Sequence, residues 1–293
     1  MKIDTLLGEI IEENWTCMQE LFQYVCPPRG NFRFSEIFEP HGGVKIEDPE
    51  RGGGIAMTMH SLCVLLEHLI ATQRQSITVM DVGANVGMMS FFGFMYVYHR
   101  LLTLNQMADI QNIQFYGFEP HKILYKGLEE TIKINNFEDY IKVFNCGIGN
   151  ANCTDILHIP CHPINSGLST RKIDENSSEI FKNKDHYRVE PAEFMKLDTF
   201  CDRHNLTDID IIKIDVEGGE MEVLEGASQL LRRCHPMLHI EHDSRSYGLS
   251  KGKDLHSYLG DYGYKYFYPI KNNSEFITTI EELRLSERAK PLR

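Results

Sequence analysis

The stretch Val79-Met80-Asp81-Val82-Gly83-Ala84-Asn85-Val86-Gly87 contains an apolar strand, an acidic residue near its end and a glycine-rich turn that opens directly into a helix. In doubly wound sheets, ligands bind beyond the carboxyl ends of the strands, where such turns lie. Glycine allows the backbone to approach a ligand closely and to adopt positive φ, and the helix that follows offers unpaired N–H groups. The stretch therefore predicts a ligand-binding turn at the carboxyl edge of a parallel sheet.

The spacing within this turn separates it from the dinucleotide-binding fingerprint. That fingerprint has the form G-x-G-x-x-G, whereas Asn85 stands at the position of its second glycine and Gly87 comes one residue early. Asp81 suits a cationic group such as an ammonium and would repel a phosphate. We interpret the turn as a site for a ligand without a pyrophosphate, with a purely structural turn as the alternative.

A second carboxylate, Glu119, follows the apolar stretch Phe115-Tyr116-Gly117-Phe118. A carboxylate at this strand end can accept hydrogen bonds from both hydroxyls of a ribose, although its distance from the turn is nearly twice the usual offset of about 20 residues. We expect this side chain at the rim of the crevice, with a helix-start carboxylate as the alternative. The two motifs together describe a nucleoside that bears an amino-acid-like group, and S-adenosylmethionine fits that description.

Around these motifs, short β-branched or aromatic runs alternate with helical segments. Strands are predicted at Ile77–Asp81, Ile113–Phe118, Ile141–Asn145, Ile209–Asp215 and Met237–Glu241, with helices near 86–104, 122–135, 198–204 and 219–232. This alternation is typical of a parallel sheet covered on both faces. The rules for crossover connections then favour an open, doubly wound α/β sheet.

The rest of the chain is predicted as additions to this sheet. Residues 1–76 form an N-terminal helical extension, and residues 77–293 form the α/β domain. Residues at about 150–197 break the alternation and are interpreted as an inserted segment with a hairpin near Asp155–Ile159. A closing antiparallel pair is predicted in the tail, at Tyr264–Pro269 and Glu275–Ile280.

The composition limits the partners and the compartment. The net charge of −12 repels a phosphate backbone, so no nucleic acid is expected as a partner. The eight cysteines contain no Cys-x-x-Cys pair and suit buried thiols in a reducing compartment. No signal peptide is visible, and no apolar run reaches the ~18 residues that span a bilayer. We expect a soluble cytoplasmic protein, without a membrane partner, that acts on a small molecule, a glycan or a peptide.

Three motifs occur together in the chain: Asp81-Val-Gly-Ala-Asn-Val-Gly87, Phe118-Glu-Pro120 and Ile212-Lys-Ile-Asp-Val-Glu-Gly-Gly-Glu220. In this order they resemble the motifs of the FkbM-type S-adenosylmethionine-dependent methyltransferases, and the resemblance covers about residues 77–243. Further matches are Leu197-Asp198-Thr199, Val223-Leu-Glu-Gly-Ala227 and Glu241. The resemblance implies a class I methyltransferase fold, which is Rossmann-like and mostly parallel, and S-adenosylmethionine as the methyl donor.

By this resemblance, the glycine turn lines the methionine end of the cofactor through Asp81, Gly83, Asn85 and Gly87. Glu119 would hold the ribose, and Gly147 and Ile148, beside Cys146, would flank the adenine. Residues 1–76 match nothing in the family and are interpreted as a substrate-side cap or a packing extension. Family members methylate varied acceptors, often hydroxyls of sugars or natural products and sometimes side-chain amides. The resemblance therefore specifies the donor better than the acceptor.

The ends of the fourth and fifth predicted strands carry the candidate catalytic residues. A protonated hydroxyl is a poor nucleophile, so it needs a base or a metal that lowers its pKa. The candidate bases are Asp215, Glu241 and His242, with Lys213 a remote fourth that pairs with an acid in the simpler interpretation. Without a metal, His242 is the preferred base because its ordinary pKa of about 6.5 lies near working pH. His239 lies in an apolar run and is interpreted as a core residue.

Asp215 and Glu241 are also candidate ligands of a divalent cation. Adjacent strand ends lie ~5 Å apart, so the two carboxylates can converge on one point. Their hard oxygens suit Mg²⁺, and some other class I methyltransferases hold magnesium at these two strand ends. Two acids are a small ligand set for a cation that prefers about six oxygens, so proton transfer without a metal is the alternative.

The predicted reaction is O-methylation of a hydroxyl on a glycan or a secondary metabolite. The alternatives are N-methylation of peptide side-chain amides, and a catalytically silent protein that binds the cofactor and uses its extension as an interaction surface. In the inserted segment, Asn165, Ser166 and Ser169 are candidate contacts to substrate or cofactor, or simply part of a polar loop. For Glu217 and Glu220 we favour stabilisation of a helix N-terminus. The oligomeric state is left open.

Overall fold

The computed structural model describes residues 33–41, 62–63, 65–173, 177–241, 254–270 and 274–278. Within these residues the strands are β1 Ile77–Val82, β2 Ile113–Phe118, β3 Ile141–Phe144, β4 Gly147–Ile148, β5 Cys153–Pro160, β6 Tyr187–Met195, β7 Ile211–Ile214, β8 Met237–Glu241, β9 Tyr266–Ile270 and β10 Ser274–Thr278. The helices are α1, which includes residues 65–71, α2 Met88–Thr103, α3 Lys122–Asn135, α4 Leu197–His204, α5 Glu220–Gly226, α6 Ser228–Cys234 and α7 Leu255–Gly260.

Seven of these strands form one sheet in the order β3-β2-β1-β7-β8-β10-β9. The five strands from β3 to β8 are parallel, and β10 is antiparallel to both of its neighbours. The predicted doubly wound, mostly parallel sheet is therefore confirmed, as is the antiparallel pair in the tail. This strand order reverses direction along the chain at β1 and β7, and ligands bind at such a switch point.

Both faces of the sheet are covered, because successive side chains of a strand point to opposite sides. Phe115 of β2 packs into one core with helices α2 and α3, whereas Tyr116 and Phe118 pack into a second core with α4, α5 and α6. On β7, Ile211 packs into the first core and Ile212 packs into the second. Among the described helices, none combines the length and apolarity needed to cross a bilayer.

The segment predicted as one helix over 219–232 is two helices, α5 and α6, separated at Ala227. The prediction was wrong because a distant side chain caps the second helix. The carboxylate of Asp198 accepts hydrogen bonds from the backbone N–H groups of Gln229, at 3.0 Å, and Leu230, at 2.9 Å. These are donors that the first turn of a helix leaves unpaired, and a capping acid satisfies them.

The inserted segment contributes a second sheet with the order β4-β6-β5. The predicted hairpin near Asp155–Ile159 is wrong, because that stretch lies within one longer strand. Its partner, β6, begins only after residues 161–186 and runs antiparallel to β5 over its full length. The apolar side chains that this pairing buries together come from both strands, namely Leu157, Ile159, Ala192 and Phe194.

The described part of the N-terminal extension packs against helix α3. The backbone N–H of Ser35 donates to Thr131 Oγ1 at 3.0 Å, and Phe38 is 1% exposed within the first core. Most of the extension, residues 1–32 and 42–61, lies outside the described residues. The boundary at residue 76 and the role of residues 1–76 stay predictions.

Candidate active site

A cavity of about 400 Å³ lies at the carboxyl edge of the sheet. It is lined by the segments that follow β1, β2 and β7 and by the end of β8, with residues of the second sheet and its connection. Five of the seven predicted cofactor residues line it, together with two of the predicted catalytic acids: Gly83, Asn85, Glu119, Gly147, Ile148, Asp215 and Glu241. The fold thus brings most of the predicted cofactor residues and these two acids to one cavity.

The glycine turn crosses the cavity between β1 and α2. Gly83 has φ 79° and Asn85 has φ 51°, a left-handed conformation that glycine adopts freely and asparagine tolerates. A Cβ atom on Gly83 would lie 1.8 Å from the carbonyl oxygen of Asp215. Only glycine therefore lets the turn lie against the end of β7, and this contact sets the two segments side by side.

Backbone N–H groups hold Glu119 at the end of the cavity that contains Gly83 and Asn85. We call this end the donor side, because the methyl donor is expected there. Its Oε2 accepts the N–H of Asn85 at 2.8 Å, and its Oε1 accepts the N–H of His121 at 2.8 Å. Burial raises the pKa of Glu119 to about 7, although these two hydrogen bonds oppose the rise. The side chain was expected at an exposed rim, but it is only 5% exposed. That expectation was wrong because the turn folds over the carboxylate to satisfy its own N–H groups.

Asp81 and Gly87 lie outside the cavity wall, whereas the resemblance sets both along the methionine end. Asp81 is 1% exposed, and its carboxylate accepts the hydroxyl of Ser90 at 2.8 Å and lies 3.2 Å from Lys213 Nζ. Gly87, at φ 81°, precedes α2 and packs against Phe91. The structure therefore places Asp81 behind the turn, where it contacts Ser90 and Lys213, two residues that do not line the cavity themselves.

The predicted adenine side is formed by β4. Gly147 and Ile148 line the cavity, and Cys146 is buried beside them. A Cβ atom on Gly147 would meet the ring of Phe194 at 2.3 Å, so glycine is required for β4 to pack on β6. Phe194 also lines the cavity and was missed from the sequence, because only the pairing of β4 with β6 brings it there.

Asp215 and Glu241 form the acidic end of the cavity. Asp215 follows β7 directly, with its side chain 32% exposed, and Glu241 ends β8. Burial, followed by the nearby Asp215 carboxylate, raises the pKa of Glu241 to about 7. Such a carboxylate is suited to take up a proton near neutral pH. His242, the preferred base in the sequence analysis, lies outside the described residues, so its role stays a prediction.

Two of the acids after β7 differ in position: Glu220 is buried in the structure, and Glu217 lines the cavity. Glu220 is 2% exposed, and its Oε1 accepts the N–H groups of Gly218 at 3.1 Å and of Val216 at 3.4 Å, so it fixes the loop before α5. Glu217 lines the cavity at φ 57°. The expectation of a structural use holds for Glu220, while Glu217 is also positioned to meet a ligand.

Lys213 lies beneath both ends of the cavity, at 4% exposure. Its Nζ donates to the carbonyl oxygen of Gly83 at 2.6 Å and lies 3.5 Å from Asp215 Oδ2. Burial opposes the ammonium form, but Asp81, Asp215 and Glu241 together raise the pKa of Lys213 above its ordinary value. The expected pairing of Lys213 with a neighbouring acid is confirmed. His239 on β8 is fully buried, as predicted, and burial lowers its pKa to about 3.

The part of the donor set that the structure describes at the two strand ends, Asp215 and Glu241, does not fit a magnesium ion. Among the described residues, no group of three or more histidine, cysteine, aspartate or glutamate side chains is arranged to hold a metal. The ammonium group of Lys213 faces Asp215 at 3.5 Å, so a positive charge already neutralises one of the two predicted ligands. A divalent cation beside it would meet charge repulsion and only part of the six-oxygen shell that it prefers.

The connection between β5 and β6 covers the cavity. Gly167 packs against the side-chain amide of Asn85, and the predicted residues Asn165, Ser166 and Ser169 line the cavity from this side. We call residues 163–172 the cover. Four of its contacts tie it to the body: Thr170 Oγ1 to the Glu217 carbonyl at 3.0 Å, Arg171 to Asp155 at 2.6 Å, Arg171 to Glu222 at 2.8 Å, and Lys172 to Glu222.

Three of these residues, Thr170, Arg171 and Lys172, line the cavity and were missed by the sequence analysis. The available signal was the position of the insertion, since residues between β3 and β7 of such a sheet can reach the carboxyl edge. The residue types gave no signal, because an arginine and a lysine in a polar loop are ordinary surface residues.

The fold and the cavity define a Rossmann-like protein with a nucleoside-sized site and an acidic end. The family profile described as the methyltransferase FkbM domain matches residues 81–266. The chain belongs to the FkbM methyltransferase family, and the resemblance found in the sequence is confirmed.

Two curated relatives each match about half of the chain. The methyltransferase sdnD of Sordaria araneosa is 23% identical over 169 residues, which are 52% of this chain and 60% of the relative. Methyltransferase 1 of Beauveria bassiana is 23% identical over 156 residues, 50% of this chain and 57% of the relative. The chain thus spans less than two thirds of the length of either protein.

Solved structures of methyltransferases are also similar. The FkbM methyltransferase of Methylobacillus flagellatus matches with a TM-score of 0.40 and 18% identity, over 70% of this chain and 44% of that one. The METTL16 methyltransferase domain matches with a TM-score of 0.42 and 12% identity, over 92% of this chain and 91% of that one.

Proposed function

We propose that this protein is an S-adenosylmethionine-dependent methyltransferase that O-methylates a hydroxyl of a glycan or a secondary metabolite. The observation that carries the proposal is a single cavity lined by the glycine turn, by Glu119 and by the acids Asp215 and Glu241. The strand order β2-β1-β7-β8 spreads these groups over roughly 14 Å. This span leaves room for a nucleoside at one end and an acceptor at the other. We also propose a cytoplasmic location, from the cysteine pattern of the sequence.

The donor side supplies contacts for a nucleoside. Each oxygen of the Glu119 carboxylate accepts one backbone N–H and retains acceptor capacity for the two ribose hydroxyls. Gly83 and Asn85 expose backbone beside it, and Gly147 and Ile148 provide a small apolar surface for a flat base. When bound, S-adenosylmethionine supplies an activated methyl group on a cationic sulfur. The cavity volume, about 400 Å³, lies within the ~300–1,000 Å³ range of small-molecule sites.

The acidic side supplies what a hydroxyl acceptor requires. Glu241, whose pKa is raised to about 7, can accept the hydroxyl proton near neutral pH, and Asp215 can orient the acceptor by accepting a further hydrogen bond. Carboxylates disfavour a phosphorylated acceptor, in keeping with the net charge of −12. A neutral, hydroxyl-rich molecule is therefore the acceptor class that this end of the cavity suits best.

The cover forms one wall of the cavity, and we infer that it limits the access of water to the reacting groups. Its ion pairs with Glu222 and Asp155 hold it against the body of the protein. Exclusion of water strengthens electrostatic contacts inside the cavity and prevents loss of the methyl group to solvent. Methyl transfer is a direct displacement, so positioning of the acceptor against the donor is the main task of the cavity walls.

Two measurements test the proposal. Isothermal titration of the full chain is expected to show binding of S-adenosylhomocysteine and none of NAD, and the reverse result would indicate a dehydrogenase. Extracts incubated with the protein and a methyl-labelled donor are then analysed by mass spectrometry, which is expected to find the label on an oxygen of a glycan or a metabolite. Label on a side-chain amide nitrogen would replace O-methylation by N-methylation, and binding without any labelled product would indicate a catalytically silent protein.

A further inference from the structure

Lys213 joins the two halves of the cavity through one buried ammonium group. It sits in the middle of the sheet, directly opposite Asp81 of β1 on one side and His239 of β8 on the other. Its Nζ donates to the Gly83 carbonyl at 2.6 Å and lies 3.2 Å from Asp81 Oδ1 and 3.5 Å from Asp215 Oδ2. The donor-side turn and the acceptor-side acid therefore share a single positive partner.

The charges around this ammonium group explain why it is buried. An unpaired charge is strongly unfavourable in a protein interior, whereas a charge with opposite partners and hydrogen bonds is retained. Two acids lie beside Lys213 Nζ, Asp81 at 3.2 Å and Asp215 at 3.5 Å, and both favour its charged form. Conversely, without Lys213 the carboxylates of Asp81 and Asp215 would lose the ammonium group that both of them contact. Lys213 and the acids thus stabilise each other, and neither side is explained by packing alone.

Lys213 Nζ lies 3.5 Å from Asp215 Oδ2, so it stands beside one of the two carboxylates that a metal ion at the strand ends would bind. A divalent cation ligated by Asp215 would stand close to a group that already carries positive charge and cannot serve as a ligand. The carbonyl oxygen of Gly83, in the glycine turn, also accepts a hydrogen bond from Lys213 Nζ, at 2.6 Å. The chain itself provides the positive charge at this point.

We propose that Lys213 is a positioning residue that replaces a divalent metal: it holds the glycine turn against Asp215 and makes donor binding and methyl transfer independent of metal ions. This inference rests on the proposed function, because it assigns Lys213 a role in the same site. The ammonium group keeps the Gly83 carbonyl and the Asp215 carboxylate in place. Loss of the ammonium group loosens the donor-side turn even though Lys213 is not part of the cavity wall.

The test needs both a metal measurement and a substitution. Wild-type protein is exhaustively chelated and titrated with S-adenosylhomocysteine, with and without added Mg²⁺, and with Mn²⁺ alone as a spectroscopic probe of divalent binding. We expect the same affinity for S-adenosylhomocysteine in both buffers and no stoichiometric Mn²⁺ binding. Affinity that appears only with Mg²⁺ would overturn the proposal and leave the proposed function intact. No binding under any condition would overturn both.

Two substitutions then separate charge from packing. Lys213→Met, which keeps length and removes charge, is expected to weaken S-adenosylhomocysteine binding at least about 10-fold, and Lys213→Arg to recover part of that loss. Lys142→Met, on the exposed side of the edge strand β3, is the matched control and should bind as wild type. Equal binding by Lys213→Met and wild type would overturn the proposal. If Lys213→Met does not fold, the proposal is tested by Lys213→Arg and by the chelated wild type. A wild-type protein that binds S-adenosylhomocysteine only in the presence of a metal ion would contradict the proposal by itself.

Discussion

The two ends of the cavity are built by different forces. At the donor end, backbone geometry and backbone hydrogen bonds position the residues. Gly83 and Asn85 form the turn in a left-handed conformation, and two backbone N–H groups donate to Glu119. At the acceptor end, charged side chains hold one another, with Lys213 between the acids and Asp215 beside Glu241. We therefore expect the donor end to be most sensitive to substitutions that change the backbone shape, and the acceptor end to be most sensitive to substitutions that remove a charge.

The largest effect is expected from a shape change at the donor end. Gly83→Ala would place a Cβ 1.8 Å from the Asp215 carbonyl at φ 79°, so we expect a loss of about 2–5 kcal/mol in the free energy of unfolding and no measurable binding of S-adenosylhomocysteine. Thermal unfolding and calorimetry check both. The control is Gly260→Ala, where nothing lies within 4 Å of the added Cβ; its stability should be unchanged or slightly higher. A Gly83→Ala protein as stable as wild type would show that the turn is not tightly constrained.

The next effect is a charge change at the acceptor end. Glu241→Gln removes the proposed base, and turnover is expected to fall ~10²–10⁴-fold while affinity for S-adenosylhomocysteine changes little. Because Glu241 acts in its ionised form, the wild-type rate should rise with pH through about 7 and then level off, and this limb should be absent in the variant. Rates on the labelled acceptor measure it. Glu193→Gln, on the exposed side of β6, serves as control, and equal rates in all three proteins would remove Glu241 from the mechanism.

A charge change at the donor end should have a smaller effect and should act on binding. Glu119→Gln keeps the shape but only one acceptor oxygen, so we expect S-adenosylhomocysteine affinity to fall by ~1.5–3 kcal/mol and the free energy of unfolding by ~1–3 kcal/mol, because one of the two backbone N–H groups loses its acceptor. Glu119→Ala should also destabilise the fold, because it leaves the N–H groups of Asn85 and His121 without their acceptor. In the wild type, ionisation of Glu119 near pH 7 should make binding tighter as pH rises from 6 to 8. Calorimetry across this range is the check, and a flat pH profile would contradict it.

The smallest effect is expected at the cover, which contacts both ends. Glu222→Gln weakens the ion pairs that hold Arg171 and Lys172, and partly exposed pairs of this kind contribute at most ~1 kcal/mol each. We expect S-adenosylhomocysteine to dissociate ~2–5-fold faster, measured by stopped flow, with unchanged stability. Glu179→Gln, which removes an exposed pair with Lys182 elsewhere in the same segment, should leave the rate as it is. Identical rates for both variants would show that the cover does not control exit.

The sheet and the motifs of the donor side could be predicted from the amino-acid sequence. The alternation of apolar strands and helices encodes the parallel sheet locally, and the turn at Gly83 is required by backbone geometry that few residues can adopt. For the same reason the positions of Gly83, Asn85 and Glu119 along the strand ends followed from their places in the chain.

The side chains that contact these residues could be identified only from the folded structure. Asp81 was expected to face the ligand and instead faces Lys213. The break at Ala227 depends on Asp198, and the cover depends on Glu222, which lies about 50 residues further along the chain. Such partners cannot be found from local pattern, because periodicity reports which side of an element is buried and not which charge it meets there. The chemistry of the acidic end arises from contacts between β1, β7 and β8 that exist only once the sheet has formed.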